Sequence, residues 1–406
     1  MKLIDVCVFI VDCPHSTAKD EGRGIPLVRT PNIGKGRLEL NGVHRVNETV
    51  YNQRVERAIP EAGDLILARE APVGNVALLL PGQKVCLGQR VVLIRPDKEK
   101  ADAAYLMYYL LSDKVQRRMK NNANGAVVAH LNMNEIRNLE IDLPDLSEQK
   151  RIASVLSSLD DKITLNNRIN HNLEEQAKAL YKSWFVDFEP FTDGEFEDSE
   201  LGMIPVGWNV KKIGALPLYI ADYVANGSFA SLKENVRLYE SENYAVFVRN
   251  TDLKSGTFPI FVDAHSYNFL SKTKLKGGEI IISNVGDVGS VHFCPRLNRP
   301  MTLGNNVIMI KAEERHYYSF LYLCFKYFSG HYSIEGITGG SAMPKFNKTD
   351  FKGIQLIIPS SDILSRFDEI TSSLFHRIEV NKRECEELSS QRDTLLPALM
   401  SGQLTC

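Results

Sequence analysis

A long helix is predicted over residues 146–185, LSEQKRIASVLSSLDDKITLNNRINHNLEEQAKALYKSWF. The segment contains neither Pro nor Gly, and steps of four and then three residues connect mostly apolar positions. At a rise of roughly 1.5 Å per residue this helix is about 60 Å long, far beyond the mean helix of a compact domain. Such a helix needs a partner, and its heptad series predicts a coiled coil. This first seam comprises Ile152, Leu156, Leu159, Ile163, Asn166, Asn170, Leu173, Ala177, Leu180 and Trp184.

A second segment with the same periodicity lies within residues 361–406. Each of its positions follows its counterpart by 215 residues, as Ile378 follows Ile163. One such segment is as readily an ordinary amphipathic helix, but two copies at one offset favour helices that pair with each other. Asn166 and Asn381 are equivalent, and each either fixes the register of the pair or faces solvent where the seam drifts. This second seam comprises Phe367, Thr371, Leu374, Ile378, Asn381, Cys385, Leu388, Arg392, Leu395 and Leu399.

Composition indicates a soluble globular protein of more than one domain. The 406 residues are too many for a single core, and 44% are hydrophobic against 24% charged. The N-terminal apolar run is short and contains an Asp, which is untypical of a signal peptide. Seven scattered cysteines without a CxxC pair argue against a zinc site and a disulfide framework. We therefore expect a cytoplasmic protein with reduced thiols and no metal of its own.

Charge is distributed unevenly although the net charge is only −2. Acidic residues concentrate in the two predicted long helices, whereas the segments between them are modestly basic. This distribution is compatible with a polyanionic partner, and it is also found in plain soluble domains.

The predicted fold is α+β, with two similar mixed domains joined by two long helices that pair as an antiparallel coiled coil. In the first domain, alternation and turn residues predict strands over 25–29, 64–68, 76–80, 90–94 and 139–143, and one helix over 102–120. Ser147 is a candidate N-cap for the first long helix. The predicted boundaries are 1–145 for the first domain, 146–190 for the first long helix, 191–202 for a linker, 203–360 for the second domain and 361–406 for the second long helix.

The second domain repeats the first. Gly63–Leu67 aligns with Gly278–Ile282 at an offset of 215, and Leu87-Gly88-Gln89 aligns with Leu303-Gly304-Asn305 at 216. The repeat implies a pseudo-two-fold molecule that presents two similar faces. The preceding loops, residues 12–17 and 222–228, agree far less. Two domains that recognise different targets would need a shared scaffold with different loops. Any duplication that has diverged shows the same pattern, however.

Four short segments carry a resemblance to a known family: SEQKRIA at 147–153, SWFVDF at 183–188, GMIPVGW at 202–208 and LLPALMSGQL at 395–404. In these, and along essentially the entire chain, the sequence resembles the DNA specificity subunits of type I restriction-modification systems. The resemblance implies a non-catalytic protein in which each of two target recognition domains reads one half of a bipartite site in double-stranded DNA. It also implies that the paired helices set the spacing between the half-sites.

The same resemblance implies the partners and cofactors. Two modification subunits would bind the scaffold and methylate adenine with S-adenosylmethionine. Restriction subunits would supply ATP-driven translocation and cleavage with Mg. None of these cofactors is expected on this chain.

Candidate DNA-binding residues follow from the chemistry of base and phosphate contacts. Arg favours guanine, Asn and Gln favour adenine, and Lys, Ser and Thr commonly hold phosphates. The strongest candidates recur in both copies, Arg69 with Asn284 and His130 with Lys345. The candidates are His15, Ser16, Thr17, Arg29, Asn32, Lys35, Arg37, Arg69, Arg90, Asn121, Asn124 and His130 in the first domain, and Asn226, Ser228, Arg249, Asn250, Lys254, Asn284, Arg296, Arg299, Asn305, Lys345 and Asn347 in the second.

Two rival functions remain at this stage. Pro144-Asp145 with Asp160-Asp161-Lys162 fits the permissive pattern of a nuclease, but its second half lies within the heptad helix, where the carboxylates do not converge easily on one metal. A coiled-coil tether whose domains bind protein is compatible with the periodicity. Salt-dependent binding to duplex DNA separates the tether from a DNA reader.

Overall fold

The computed structural model describes residues 1–14, 16–123, 130–340 and 342–404. The chain forms two compact units, and each contains one domain together with part of both long helices. The first unit is Met1–Asn167 with Lys382–Cys406, and the second is Arg168–Asn381.

The first domain precedes the first long helix. Short 3-10 helices lie at Leu3–Val6 and Thr30–Asn32. The strands are β1 (Cys7–Asp12), β2 (Ile25–Val28), β3 (Arg45–Val46), β4 (Leu65–Ala68), β5 (Val76–Leu78), β6 (Cys86–Leu87) and β7 (Val91–Pro96), and the helices are α1 (Glu48–Arg54), α2 (Ala103–Leu111), α3 (Asp113–Asn122), α4 (Met133–Arg137) and the long α5 (Leu146–Phe185).

The second domain has the same plan with additional strands. Its 3-10 helices lie at Glu189–Phe191, Ile213–Ala215, Tyr223–Asn226 and Ser271–Thr273. The strands are β8 (Phe196–Ser199), β9 (Gly202–Pro205), β10 (Asn209–Lys212), β11 (Leu218–Asp222), β12 (Leu238–Tyr239), β13 (Ala245–Val248), β14 (Phe261–Val262), β15 (Lys274–Leu275), β16 (Ile280–Ser283), β17 (Val291–Phe293), β18 (Met301–Leu303), β19 (Val307–Ala312) and β20 (Gln355–Ile358), and the helices are α6 (Phe229–Asn235), α7 (Asn250–Ser255), α8 (Ala264–Phe269), α9 (Tyr317–Tyr327), α10 (Ser329–Ile337), α11 (Lys348–Gly353) and the long α12 (Ser361–Met400).

The sheets confirm the internal repeat. An antiparallel sheet of order β1-β7-β4-β5 in the first domain corresponds to β11-β19-β16-β17 in the second. The registers agree, since Leu65 pairs with Ile94 and Ile280 pairs with Ile310. In each domain a further sheet contains one parallel pair, β2 with β6 and β13 with β18. The two domains are therefore copies of one α+β scaffold.

The four-stranded sheet of the first domain separates two cores because its side chains alternate. Leu65 and Leu67 face a core that includes α2 and the start of α5, whereas Ile66 and Ala68 face the core around Val28. The arrangement fixes the domain on the long helix and directs its second sheet away from that core.

Helix α5 spans residues 146–185, as its heptad series predicts, and ends before the predicted boundary at residue 190. Asp145, rather than the predicted Ser147, caps it, because the Asp145 carboxylate accepts a hydrogen bond from the Glu148 amide at 3.0 Å. The helix ends where Phe188 adopts a left-handed conformation (φ 54°) and Pro190 follows.

Two predictions within the first domain were wrong in detail. The helix predicted over 102–120 is broken at Ser112, whose backbone is extended (ψ 146°) between α2 and α3. Residues 139–143 form no strand of a named sheet, and only an isolated bridge joins Glu140 to Lys2. The other four predicted strands correspond to β2, β4, β5 and β7.

The long helices run antiparallel within each unit. In the first unit, Asp160 accepts a hydrogen bond from Arg392 at 2.7 Å, and Asn166 donates one to Glu384 at 2.7 Å. Residue numbers therefore rise along α5 as they fall along α12. In the second unit, Phe367 of α12 contacts Phe185 of α5, with ring centroids 4.7 Å apart.

All twenty seam residues are buried or half-buried. Those near the helix ends, such as Ile152 and Leu156, pack against their own domain. The middle of the seam is polar, and Asn166 and Asn381 are each only 1% exposed. The alternative that these asparagines face solvent was wrong.

None of the helices in the described parts of the chain is long and apolar enough to cross a membrane.

Candidate nucleic-acid interface

A turn at residues 87–90, which we call the first turn, connects β6 to β7 and joins several of the predicted residues. Gly88 donates its amide hydrogen to the Val28 carbonyl at 2.7 Å. A Cβ atom on Gly88 would lie only 2.8 Å from Cγ of Arg29, so this close approach requires glycine. Arg90 has φ 68°, which turns the chain into β7. The first turn thus places Arg29 beside the segment that ends in Arg90.

Polar side chains from the 12–17 loop line one side of the first turn. Gln89 donates to the Thr17 hydroxyl at 2.6 Å. Arg54 is buried and donates to the Leu87 carbonyl at 3.0 Å and to the Ser16 hydroxyl at 3.2 Å. Ser16 and Thr17 are therefore held against the turn by side-chain hydrogen bonds, and both residues are exposed.

Arg69 and His130 also lie beside the first turn. The Arg69 amide donates to the Arg90 carbonyl at 3.0 Å, and its guanidinium Nε donates to the Leu131 carbonyl at 2.9 Å. Nη2 of Arg69 lies 3.4 Å from Nε2 of His130. A cleft of about 500 Å³ opens beside Arg69 and is lined by Asp12, Asn132, Met133, Asn134 and Glu135.

Arg90 carries the most exposed charge of this cluster. Its Nε lies 3.1 Å from Oε2 of Glu70, and 55% of its side chain is exposed. An ion pair with this exposure contributes little stability and is easily exchanged for a phosphate. Arg90 is therefore available to a polyanion.

A second turn, residues 303–306, has the same backbone in the second domain. Gly304 donates to the Val248 carbonyl at 2.7 Å, and Asn306 has φ 63°. The Asn284 amide donates to the Asn306 carbonyl at 3.1 Å, as that of Arg69 does to Arg90. An isolated bridge pairs Val285 with Lys345, as another pairs Glu70 with His130. The sequence pairing of Arg69 with Asn284 and of His130 with Lys345 is thus confirmed as a structural equivalence.

The second turn bears different side chains on this shared backbone. Asn306 replaces Arg90, Asn305 replaces Gln89, and Asn284 replaces Arg69. The Asn284 side-chain amide donates to the Phe346 carbonyl at 3.3 Å, whereas its Oδ1 is buried without a hydrogen-bond partner among the described residues. The two domains therefore present distinct polar groups at matching positions.

Several predicted residues have their polar groups engaged within the fold. Ser228 and Asn347 cap α6 and α11. Asn32 accepts a hydrogen bond from the Arg29 amide at 3.0 Å. The Asn226 side chain bonds to Thr273 and to the Lys272 amide, at 2.8 and 3.0 Å.

Other predicted residues form ion pairs. Arg37 lies 2.8 Å from Asp161 of α5, and Arg296 lies 3.8 Å from Glu379 of α12. Lys254 pairs with Asp287 at 2.6 Å, and Asn250 donates to the same carboxylate at 2.9 Å. Arg299 pairs with Glu242 and lies over the Phe261 ring, and Arg249 pairs with Asp252.

The remaining predicted residues are four exposed side chains and two residues outside the described part of the chain. Lys35, Asn121, Asn305 and Lys345 are exposed. His15 and Asn124 lie outside the described residues.

Sequence reasoning missed four residues: Arg54, Gln89, Asp252 and Asn306. The aligned tripeptides that contain Gly88 and Gly304 already include Gln89, and one further aligned position reaches Arg90 and Asn306. No sequence signal identifies Arg54, because its partners Leu87 and Ser16 are remote in sequence. None identifies Asp252 either, because its contact with Arg249 depends on side-chain conformation.

Cys7 and Cys86 are two of the cysteines with raised pKa values. Burial raises the pKa of Cys7 to about 12 and that of Cys86 to about 11, so these thiols stay protonated and unreactive. Among the described residues, no group of three His, Cys, Asp or Glu side chains is placed to hold a metal ion.

Comparison with known proteins identifies the family. The model of the type I restriction modification DNA specificity domain matches residues 1–175 and again residues 205–389. The chain belongs to this type I specificity family. The two matches correspond to the two copies of the scaffold, each followed by part of a long helix.

Named relatives of the type I specificity family cover most of this chain. The chain is 29% identical to the type I restriction enzyme MjaIX specificity subunit of Methanocaldococcus jannaschii, over 89% of this chain and 82% of that protein. It is 24% identical to the HindI specificity subunit of Haemophilus influenzae, over 84% and 86%. Its fold is similar to the crystal structure of a type I restriction-modification S subunit from M. genitalium, with TM-score 0.54, 16% identity and coverage of 98% and 95%.

Proposed function

We propose that this chain is the non-catalytic subunit that gives a type I restriction-modification complex its DNA sequence specificity, and that each domain reads one half of a bipartite site. The observation that carries the proposal is the pair of equivalent turns. One backbone, held by the same hydrogen bonds, carries the exposed Arg90 in the first domain and the exposed Asn306 in the second.

The side chains on the two turns favour different bases. Arg binds guanine through O6 and N7, and Asn binds adenine through N6 and N7. A shared scaffold keeps the approach to DNA constant while the exchanged side chains change the sequence that is read. The two half-sites are therefore different sequences.

The paired helices set the distance between the half-sites in this proposal. Each helix has 40 residues, and therefore a length of about 60 Å, which corresponds to roughly 17 base pairs. The buried polar side chains in the middle of the seam support the proposal, because such groups hold helix pairs in one register.

In this proposal the catalytic activities belong to other subunits, which bind to this chain. We propose that two modification subunits methylate adenine with S-adenosylmethionine, and that restriction subunits use ATP and Mg for translocation and cleavage. The names of the relatives, all of them specificity subunits, support this division. The exposed acidic faces of the long helices are suited to subunit contacts rather than to DNA.

The test is co-purification with the modification subunits, followed by binding to duplex DNA over a range of salt concentrations. A DNA reader with several phosphate contacts loses affinity steeply as salt rises. Methylated adenines mapped in the host genome should then define one bipartite site that disappears when the gene is deleted. A complex without salt-dependent DNA binding, or an unchanged methylation map, would contradict the proposal.

A further inference from the structure

Arg29 and Arg249 occupy equivalent positions beside the two turns. Each precedes a short helix, and its backbone amide donates at 3.0 Å to the side chain three residues later, Asn32 or Asp252. Each side chain passes the glycine of its turn, since Cγ lies 2.8 Å from an ideal Cβ on Gly88 or 3.1 Å from one on Gly304. The backbone therefore brings both arginines to the same place in their domains.

Their guanidinium groups have different partners. Asp252 is 2% exposed and accepts from Nη2 of Arg249 at 2.6 Å and from its Nε at 3.0 Å. This charge-assisted hydrogen bonding raises the pKa of Arg249. Withdrawing the guanidinium would leave a buried carboxylate unpaired, which is strongly unfavourable. Arg249 is thus held inside its own domain.

The first domain lacks this carboxylate. Asn32 stands in place of Asp252, and its side-chain amide instead donates to the Glu39 carbonyl at 3.4 Å. Nε of Arg29 is buried and has no hydrogen-bond partner among the described residues.

Arg29 contributes to lowering the pKa of Asp20, but the hydrogen bonds of Asp20 are with other residues. Asp20 accepts from the amides of Arg45 and Gly22 at 2.9 and 3.0 Å, and these donors chiefly lower its pKa, with Arg29 the weakest contributor. The donors of Arg29 are therefore not committed to a carboxylate of the described chain.

We propose that Arg29 contacts the DNA of the first half-site, and that Asp252 keeps Arg249 from making the equivalent contact in the second. The inference rests on the proposed function and adds a specificity determinant to it: the residue three positions after the arginine decides whether that arginine reads DNA. Asn leaves the guanidinium free for a phosphate or a guanine, and Asp retains it.

The experiment uses the complex of the full chain with its modification subunits and measures binding to duplexes that carry the methylated site. Arg29→Ala should weaken binding roughly 5- to 150-fold, the range for one good base contact. The double variant Arg249→Ala with Asp252→Asn leaves no buried carboxylate unpaired and keeps an acceptor for the backbone amide of residue 249. It should change binding less than about 2-fold, the difference expected for a side chain that does not touch DNA. Relaxed selectivity at one base identifies a guanine contact, and equal weakening on all sequences identifies a phosphate contact.

Exchange of the neighbouring residue tests the mechanism directly. Asn32→Asp should weaken binding as much as Arg29→Ala, and the double variant should be no weaker than either single variant. Asn32→Ala, which removes the acceptor of the Arg29 amide and adds no carboxylate, is the control and should bind more tightly than Asn32→Asp. Asp252→Asn should strengthen binding and steepen its salt dependence, because it releases Arg249.

Binding by Arg29→Ala that equals the unsubstituted complex would overturn the inference, as would additive losses in the double variant. Failure of the unsubstituted complex to bind its site would instead overturn the proposed function. Comparison of the melting temperatures of all variants separates a lost contact from a lost fold.

Discussion

Asn381 donates its side-chain amide hydrogen to Oδ1 of Asn170 at 2.8 Å in the second unit, and both residues are buried in the helix seam. The first unit has a comparable pair, in which Asn166 donates to Glu384 at 2.7 Å. A polar pair in a helix seam is less stabilising than two leucines, but it is satisfied in only one register. These pairs therefore favour one alignment of the long helices over its neighbours.

Replacement of one member of the pair should cost more than replacement of both. Asn381→Leu leaves the Asn170 amide buried without a partner, so we expect a loss of about 1–3 kcal/mol in the free energy of unfolding. The double variant Asn170→Leu with Asn381→Leu should recover most of that loss. Denaturant unfolding measures both values, with exposed His171→Ala as the control. A double variant no more stable than Asn381→Leu would contradict the assignment.

Glu174 of α5 should make stability depend on pH. Burial acts to raise its pKa, but hydrogen bonds from Lys326 at 2.6 Å and Tyr322 at 3.0 Å outweigh burial and lower the pKa below its ordinary 4.5. Because the folded-state pKa is lowered, the contribution is complete above the unfolded pKa and is lost as pH falls through the folded one.

Glu174→Gln should therefore destabilise the protein near neutral pH by about 1 kcal/mol, and the difference from the unsubstituted protein should shrink in acid. Melting temperatures from neutral pH to below pH 4.5 measure this. The neighbouring Glu175→Gln, which breaks an exposed pair with Lys178, is the matched control and should have little effect. A constant difference at every pH would exclude the proposed linkage.

Phe367 should be among the most sensitive positions of α12. It is fully buried, and its ring contacts those of Tyr181, Trp184 and Phe185 at centroid distances of 6.1, 5.8 and 4.7 Å. Phe367→Ala should cost about 3–5 kcal/mol through lost burial and the cavity that remains. Ile370→Ala, at a position 45% exposed on the same helix, should cost less than about 1 kcal/mol. Similar losses in both variants would show that the aromatic cluster is not the source of stability.

The long helices and their buried seam positions could be predicted from the sequence. A heptad repeat is a local signal, and every seam position from Ile152 to Leu399 is at least half-buried, although α12 contains Pro397. The break at Ser112 was missed because its neighbours continue the helical periodicity, and the break depends on the conformation of that one residue. The extended segment around Glu140 pairs with Lys2, and nothing local distinguishes such a bridge from a strand.

The candidate site could be predicted only in part. The repeated Leu-Gly tripeptides located both turns, since the close approach at Gly88 leaves a sequence trace. The pairing of β2 with β6, which brings Arg29 to the first turn, joins residues far apart in sequence. Whether Arg249 is held depends on the geometry of Asp252, which periodicity does not show.

Arg69 and Asn306 should each affect one half-site. Arg69→Ala should relax or weaken recognition of the first half-site by about 1–3 kcal/mol and leave the second unchanged, because the two readers are separate domains. Asn306→Ala should have the opposite pattern. Methylation of duplexes with either half-site altered measures both effects, and Arg69→Lys tests whether charge alone suffices. Equal loss at both half-sites would indicate misfolding rather than a lost contact.

Matched lengthening of both long helices tests whether they set the spacing between the half-sites. One heptad is inserted between Asn167 and Arg168 and another between Asn381 and Lys382, where the chain passes from one compact unit to the other. Each insertion lengthens its helix by about 10 Å, or about 3 base pairs of duplex, and preserves the seam. Mapping of methylated adenines should show the same two half-sites separated by a gap about 3 base pairs longer. An unchanged gap in a folded, active complex would show that the helices do not set the spacing between the half-sites.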